Sequence, residues 1–116
     1  MKALGKHLII EMWGADADNL NDAKLLDRAL RDTVEAVDGH LLDCRVVEFP
    51  VHGVTGVAII AESHVAVHTW PEHGYAACDI FTCNLDADIE AGVEALKKHF
   101  LPTQTQVMEV RRGLQN

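Results

Sequence analysis

The chain has 116 residues, a formal net charge of −8 and a pI near 5.2. Such an acidic protein lacks the clustered positive charge that nucleic acids and anionic membrane surfaces require, so neither is expected as a partner. Its 48% hydrophobic and 24% charged residues are typical of a folded domain. We expect a single domain over residues 1–116, and a homo-oligomer, because so short a chain buries limited surface by itself.

We expect no signal that directs the chain to a membrane or out of the cell. No apolar run approaches the roughly 20 residues that a membrane-spanning helix needs. Lys2 and Lys6 lie where a signal peptide would have an apolar stretch. The cysteines are odd in number (Cys44, Cys78 and Cys83), which predicts reduced thiols. We therefore expect a cytoplasmic protein.

The predicted elements begin with a strand and alternate with two helices. The first helix starts at Asp22 and ends before Gly39. The second is capped by Asp86 and cannot continue past Pro102. Strands are predicted where β-forming residues cluster, at residues 8–13, 41–51, 54–61, 65–67, 75–83 and 103–110.

This order of elements predicts an α+β fold, a two-layer α/β sandwich. A mainly antiparallel sheet would carry the two helices on one face. The other face would stay free for a substrate, a partner or an identical subunit.

Reactive polar side chains are concentrated in residues 62–72, directly after the most apolar predicted strand. The abrupt change from Ala61 to Glu62, Ser63 and His64 places functional groups at the rim of the core. A Ser–His pair standing alone is more often a turn hydroxyl beside a surface imidazole.

Two chemical interpretations of this segment are weak. His64 and His68 are predicted on one strand, where they would stand roughly 13 Å apart, too far to chelate one ion. Cys78 and Cys83 do not have the spacing of a short chelating loop, so no metal is expected. A serine hydrolase is disfavoured because the chain has no Gly-x-Ser-x-Gly sequence.

A third interpretation is self-cleavage at Ser63. The hydroxyl would attack the preceding carbonyl to give an ester, and a base would then remove the serine α-proton and eliminate the ester. Hydrolysis of the resulting dehydroalanine leaves a pyruvoyl group. The reaction needs a strained peptide, a donor for the oxyanion and a nearby base. Composition alone does not establish these features.

A resemblance favours the third interpretation. The sequence AESHVAVHTWPE at residues 61–72 resembles the processing signature of the short bacterial and archaeal S-adenosylmethionine decarboxylase proenzymes. The likeness extends to GYAACDIFTC at 74–83 and to residues 4–7, 11–14 and 53–57. It therefore covers most of the chain.

The resemblance implies cleavage between Glu62 and Ser63, which leaves a β chain of residues 1–62 and an α chain of residues 63–116. Ser63 would become the pyruvoyl cofactor, which forms a Schiff base with the substrate amine and accepts the electrons left by CO₂. Neither a metal nor pyridoxal phosphate is then needed.

The same resemblance assigns roles to five further residues. His68 would remove the serine α-proton during processing, assisted by the Thr55 hydroxyl, for which many relatives have serine. Cys83 would return a proton to the substrate carbon. Phe49 would stack on the adenine, and Glu72 would hold the ribose hydroxyls.

The implied activity is decarboxylation of S-adenosylmethionine to the aminopropyl donor for spermidine synthesis. The implied assembly is a dimer of processed protomers, with active sites near the interface that take residues from both. Two alternatives stay open: a pyruvoyl-dependent decarboxylase of ornithine or arginine on the same scaffold, and an uncleaved binding subunit.

Overall fold

Two layers, one of strands and one of helices, make up the computed structural model, which describes residues 2–115. The strands are β1 (Gly5–Trp13), β2 (Leu41–Glu48), β3 (Val54–Ile60), β4 (Ser63–Trp70), β5 (Tyr75–Thr82) and β6 (Gln104–Arg112). The α-helices are α1 (Ala17–Leu20), α2 (Ala23–Ala36) and α3 (Ile89–Phe100), and a 3₁₀ turn covers Pro71–His73.

The six strands form one sheet in the order β2-β3-β4-β5-β1-β6, and every neighbouring pair is antiparallel. The central hairpin joins β3 to β4 through the two residues Ala61 and Glu62, since Ile60 pairs directly with Ser63. The α+β sandwich and the mainly antiparallel sheet predicted from the sequence are thus confirmed.

The core lies between the sheet and the helices α2 and α3. Alternate residues of each strand face the helices, as with Val65 and Val67 of β4, which are fully buried. Helix α2 lays Leu26 and Leu30 over β3 at Gly56, where a Cβ atom would come within 2.3 Å and 2.7 Å of their methyl groups. Glycine at position 56 therefore allows the close approach of helix and sheet.

The helix ends agree in part with the sequence prediction. Asp22 is the N-cap of α2, so that helix begins one residue later than predicted, at Ala23. The predicted Asp86 cap of α3 is wrong, because Asp88 caps that helix by accepting a hydrogen bond from the Ala91 N–H at 3.1 Å. No helix within residues 2–115 is both long and apolar enough to cross a membrane.

The strand ends also differ from the predictions. Strand β2 stops at Glu48 rather than residue 51, because the Phe49 N–H donates to the Gly53 carbonyl and closes a loop. Strand β4 is longer than the predicted 65–67, and β6 runs from 104 to 112 instead of 103 to 110. The short helix α1 was not predicted.

The sheet face away from the helices is called the outer face below. Within residues 2–115 no second layer covers it, as predicted. Large apolar side chains on it are 38–59% exposed: Ile9, Trp13, Ile59, Trp70 and Met108.

Candidate active site

The predicted site residues fall into two groups at opposite ends of strand β4. Ser63 begins the strand, whereas His68 lies five residues further on, so their backbones are roughly 16 Å apart. The turn group, at the β3–β4 turn, consists of Glu62, Ser63 and Cys83. The cleft group, at the other end of the hairpin, consists of Phe49, Thr55, His68 and Glu72.

The peptide between Glu62 and Ser63 has an unusual backbone. Ser63 has a φ of 155°, a positive value that few residues other than glycine adopt. The Glu62 carbonyl accepts a hydrogen bond of 3.0 Å from the Cys83 N–H. Ser63 is thus a strained residue, and the carbonyl before it already accepts a hydrogen bond. Backbone strain and a donor to the carbonyl oxygen are two of the features that self-cleavage requires.

The Glu62 side chain is held by His40. One carboxylate oxygen accepts from the His40 N–H at 2.9 Å, and the other lies against His40 Nδ1. The backbone and side-chain hydrogen bonds from His40 lower the pKa of Glu62 below its ordinary value. Glu62 is therefore held twice, through its side chain by His40 and through its backbone carbonyl by Cys83.

The three cysteines differ in accessibility. Cys83 is exposed beside the turn. Cys78 is buried, and burial raises the pKa of its thiol. Partial burial and the nearby Asp27 carboxylate raise the pKa of Cys44 to about 11. Cys44 and Cys78 are thus neutral thiols, and Cys83 is the exposed thiol of the three.

In the cleft group, Thr55 and His68 are direct cross-strand partners on β3 and β4. The Thr55 Oγ1 atom lies 3.2 Å from His68 Nδ1. The neighbouring Thr69 hydroxyl donates to the Leu20 carbonyl at 2.7 Å and accepts from the Val54 N–H at 2.9 Å. This buried link to α1 fixes the strand end on which His68 stands.

Phe49 and Glu72 line the same cleft, whose volume is about 390 Å³, together with Thr55, His68 and His52. The Glu72 carboxylate lies 2.7 Å from His52 Nε2. The pKa of Glu72 is lowered, first by a hydrogen bond from its own backbone and then by His52. The cleft therefore combines an exposed aromatic ring with an ionised carboxylate.

Comparison with known proteins identifies the family. A family model described as S-adenosylmethionine decarboxylase matches residues 6–113. The chain belongs to the S-adenosylmethionine decarboxylase family. The S-adenosylmethionine decarboxylase proenzyme of Thermomicrobium roseum is 44% identical over 98% of this chain and 97% of its own.

Two further relatives agree with this assignment. The proenzyme of Methanococcus maripaludis is 41% identical over 98% of this chain and 93% of its own. The crystal structure of the adenosylmethionine decarboxylase from Aquifex aeolicus has a TM-score of 0.91 and 28% identity, and the match covers 100% of this chain and 96% of that one.

A cluster on the outer face of this family member was not predicted. His7 Nε2 and His64 Nε2 each lie 2.7 Å from Asp79 Oδ2. The sequence interpretation considered His64 only with His68, its neighbour along one strand. The partner that reaches it is His7 on β1, two strands away, and only the strand order could have indicated this.

A second unpredicted group lies further along the outer face. The Tyr75 hydroxyl donates to the Glu11 carboxylate at 2.7 Å, and the Trp13 and Trp70 rings lie against the Tyr75 ring. Burial raises the pKa of Tyr75 to about 12, and the Glu11 bond adds to this. Trp70, which directly precedes Pro71, is 41% exposed.

Proposed function

We propose that the chain is a self-cleaving, pyruvoyl-dependent S-adenosylmethionine decarboxylase. Cleavage between Glu62 and Ser63 would yield a β chain of residues 1–62 and an α chain of residues 63–116. The observation that carries this proposal is the Cys83 N–H, which donates to the carbonyl oxygen of the peptide that must break. The family membership and the proenzyme relatives support the same activity.

The cleavage begins when Ser63 Oγ attacks the Glu62 carbonyl carbon and gives up its proton to a base. The Cys83 N–H stabilises the negative charge that develops on the carbonyl oxygen. The C–N bond then breaks, and the nitrogen takes up the proton and stays on residue 63 as a free amine, which leaves an ester between Glu62 and the Ser63 oxygen. Removal of the Ser63 α-proton then expels the Glu62 carboxylate, and water releases ammonia from the remaining residue as the ketone forms.

The ketone formed at position 63 would supply the electron sink for decarboxylation. The Cys83 thiol follows β5 next to this position and is exposed. We assign it the proton that the substrate carbon takes up after CO₂ leaves, because a neutral thiol can donate a proton at this stage.

The cleft group completes the site from a second copy of the chain. His68 must come within about 3 Å of the Ser63 α-proton to act as the base. Along its own strand it is roughly 16 Å away, so the His68 of another protomer is required. A dimer that covers the exposed apolar side chains of the outer face supplies it, with Phe49 and Glu72 receiving the adenosine end of the substrate.

Intact-mass spectrometry under denaturing conditions tests the cleavage. The purified protein is expected as two fragments divided at residue 63, with the second fragment carrying a pyruvoyl terminus. Ser63→Ala is expected to remain a single chain. A wild-type protein that stays uncut after long incubation would contradict the proposal.

Release of labelled CO₂ tests the substrate and the role of Cys83. S-adenosylmethionine is the expected substrate, with ornithine and arginine as the comparison compounds. Cys83→Ala should still cleave but lose about 10²-fold or more in turnover, as general acids contribute about that much. Cys78→Ala is the matched control. CO₂ released from a basic amino acid alone, or full activity in Cys83→Ala, would overturn the respective assignment.

A further inference from the structure

We propose that His7, His64 and Asp79 form a binding site for a zinc-class transition-metal dication on the outer face of the sheet. Their ligand atoms lie within 4.8 Å of one another. Two imidazole nitrogens and one carboxylate oxygen make a ligand set that binds such ions, and the dimer proposed above would enclose it. We assign the bound ion no step of the decarboxylation, and His64 directly follows Ser63 in the chain.

The sheet register builds this set. The strands β4, β5 and β1 are adjacent, and Phe81 of β5 pairs with both His64 and His7. Asp79 lies two residues before Phe81 and therefore faces the same side. Three neighbouring strands thus direct one ligand each toward a common point.

The two imidazole rings are held in place before any ion binds. The Phe81 ring stacks on the His7 ring at 4.9 Å between centroids and meets the His64 ring edge-on at 5.8 Å. The side chains of all three ligands are only 18–34% exposed. Because these rings are already ordered, metal binding loses little side-chain entropy.

Metal binding would rearrange protons at the two rings. Where Nε2 carries the proton toward Asp79, that proton must leave so that the Nε2 lone pair can reach the ion, and the neutral ring then carries its proton on Nδ1. A proton on His7 Nδ1 ends the 3.4 Å contact between that atom and Arg112 Nη1. The Arg112 guanidinium also lies over the Phe81 ring. The His7–Arg112 contact is exposed and weak, so its loss costs little.

Other histidine–carboxylate pairs among residues 2–115 provide matched controls. The pairs His40–Glu62, His52–Glu72 and His99–Asp32 each contain one imidazole and one carboxylate. A single pair supplies two ligands, which makes a weaker site than three. His99–Asp32 also has a 2.7 Å separation and lies on the helices, away from the outer face.

Equilibrium dialysis with Zn²⁺, and absorption spectra with Co²⁺ as the probe, test the site in the Ser63→Ala chain and the wild-type protein. One ion per chain is expected, with Mg²⁺ failing to compete because it prefers oxygen ligands. His64→Asn and Asp79→Asn should each weaken Zn²⁺ binding at least tenfold. His99→Asn should leave it unchanged, and circular dichroism checks that each variant is folded.

Absence of Zn²⁺ binding by the folded protein would overturn the proposal. So would a folded His64→Asn variant that binds as tightly as the parent, or an equal loss in His99→Asn. Because Ser63→Ala cannot form a pyruvoyl group, its metal affinity does not depend on cleavage. Zn²⁺ binding by Ser63→Ala therefore tests the metal site by itself, whereas cleavage and CO₂ release by the wild-type protein test the proposed decarboxylase.

Discussion

At the scale of single residues, the pair His40–Glu62 couples the cleavage turn to pH. The hydrogen bond and the charge of Glu62 raise the pKa of His40 above its ordinary 6.5, and His40 lowers the pKa of Glu62 below 4.5. The His40 contribution to stability is complete below pH 6.5 and is lost as pH rises through the raised value. The Glu62 contribution is complete above 4.5 and is lost as pH falls through the lowered value.

The pair should therefore contribute most between about pH 4.5 and 6.5. An NMR titration of the uncleaved Ser63→Ala chain should give a His40 midpoint above 6.5, and Glu62→Gln should return it toward that value. Glu48→Gln removes an equal charge from β2 and should leave the midpoint unchanged. If the His40 midpoint is the same in Glu62→Gln as in the parent, the His40–Glu62 pair does not form in solution.

The residues of the turn group could be named as site candidates from the sequence because they are contiguous or carry a recognisable pattern. Ser63 follows an apolar strand, and Cys83 ends another. His40 and His7 gave no such signal, since each acts through a partner 22 or 72 residues away. His40 meets Glu62 at the end of the β2–β3 pair, and His7 meets Asp79 across the β1–β5 pair, so both contacts depend on how the strands pair.

At the scale of elements, the contact between α2 and β3 depends on glycine. The Cβ of an alanine at position 56 would lie 2.3 Å from a Leu26 methyl group and 2.7 Å from one of Leu30. Helix α2 cannot move outward freely, because Leu26 and Leu30 are fully buried in the core. A methyl group at this point therefore strains the packing of helix on sheet.

Gly56→Ala should lower the free energy of unfolding by about 1–3 kcal/mol through overpacking. Leu26→Ala alone should cost about 2–5 kcal/mol by leaving a cavity. In the double variant the added methyl group enters that cavity, so the two losses should sum to more than the measured loss. Urea unfolding of all four chains in the Ser63→Ala background measures this coupling; strictly additive losses would contradict the contact.

The helices were the elements best predicted from the sequence. The apolar spacing of α2 and α3 gave their extent within two or three residues, because burial of one stripe dominates their stability. The choice of Asp88 over Asp86 as a cap depends on local turn geometry, in which the Asp86 N–H donates to the Asn84 side chain. The end of β2 likewise depends on the Gly53 loop.

At the scale of the whole molecule, the separation of the turn group from the cleft group determines what one chain can do. If a functional site takes Ser63 and Cys83 from one protomer and His68 and Glu72 from the other, a twofold dimer contains two equivalent shared sites. Each protomer then contributes a turn group to one site and a cleft group to the other. Variants in different groups should therefore complement each other.

Cys83→Ala and Glu72→Ala chains, co-expressed with different tags and purified as the mixed dimer, should recover about half of wild-type decarboxylation, because one of its two sites has no substitution. The reciprocal dimer pairs a wild-type chain with a chain that carries both substitutions. Its two sites each contain one defect, so its activity should be low. The opposite pattern, an inactive mixed dimer and a half-active reciprocal dimer, would place each complete site within a single chain.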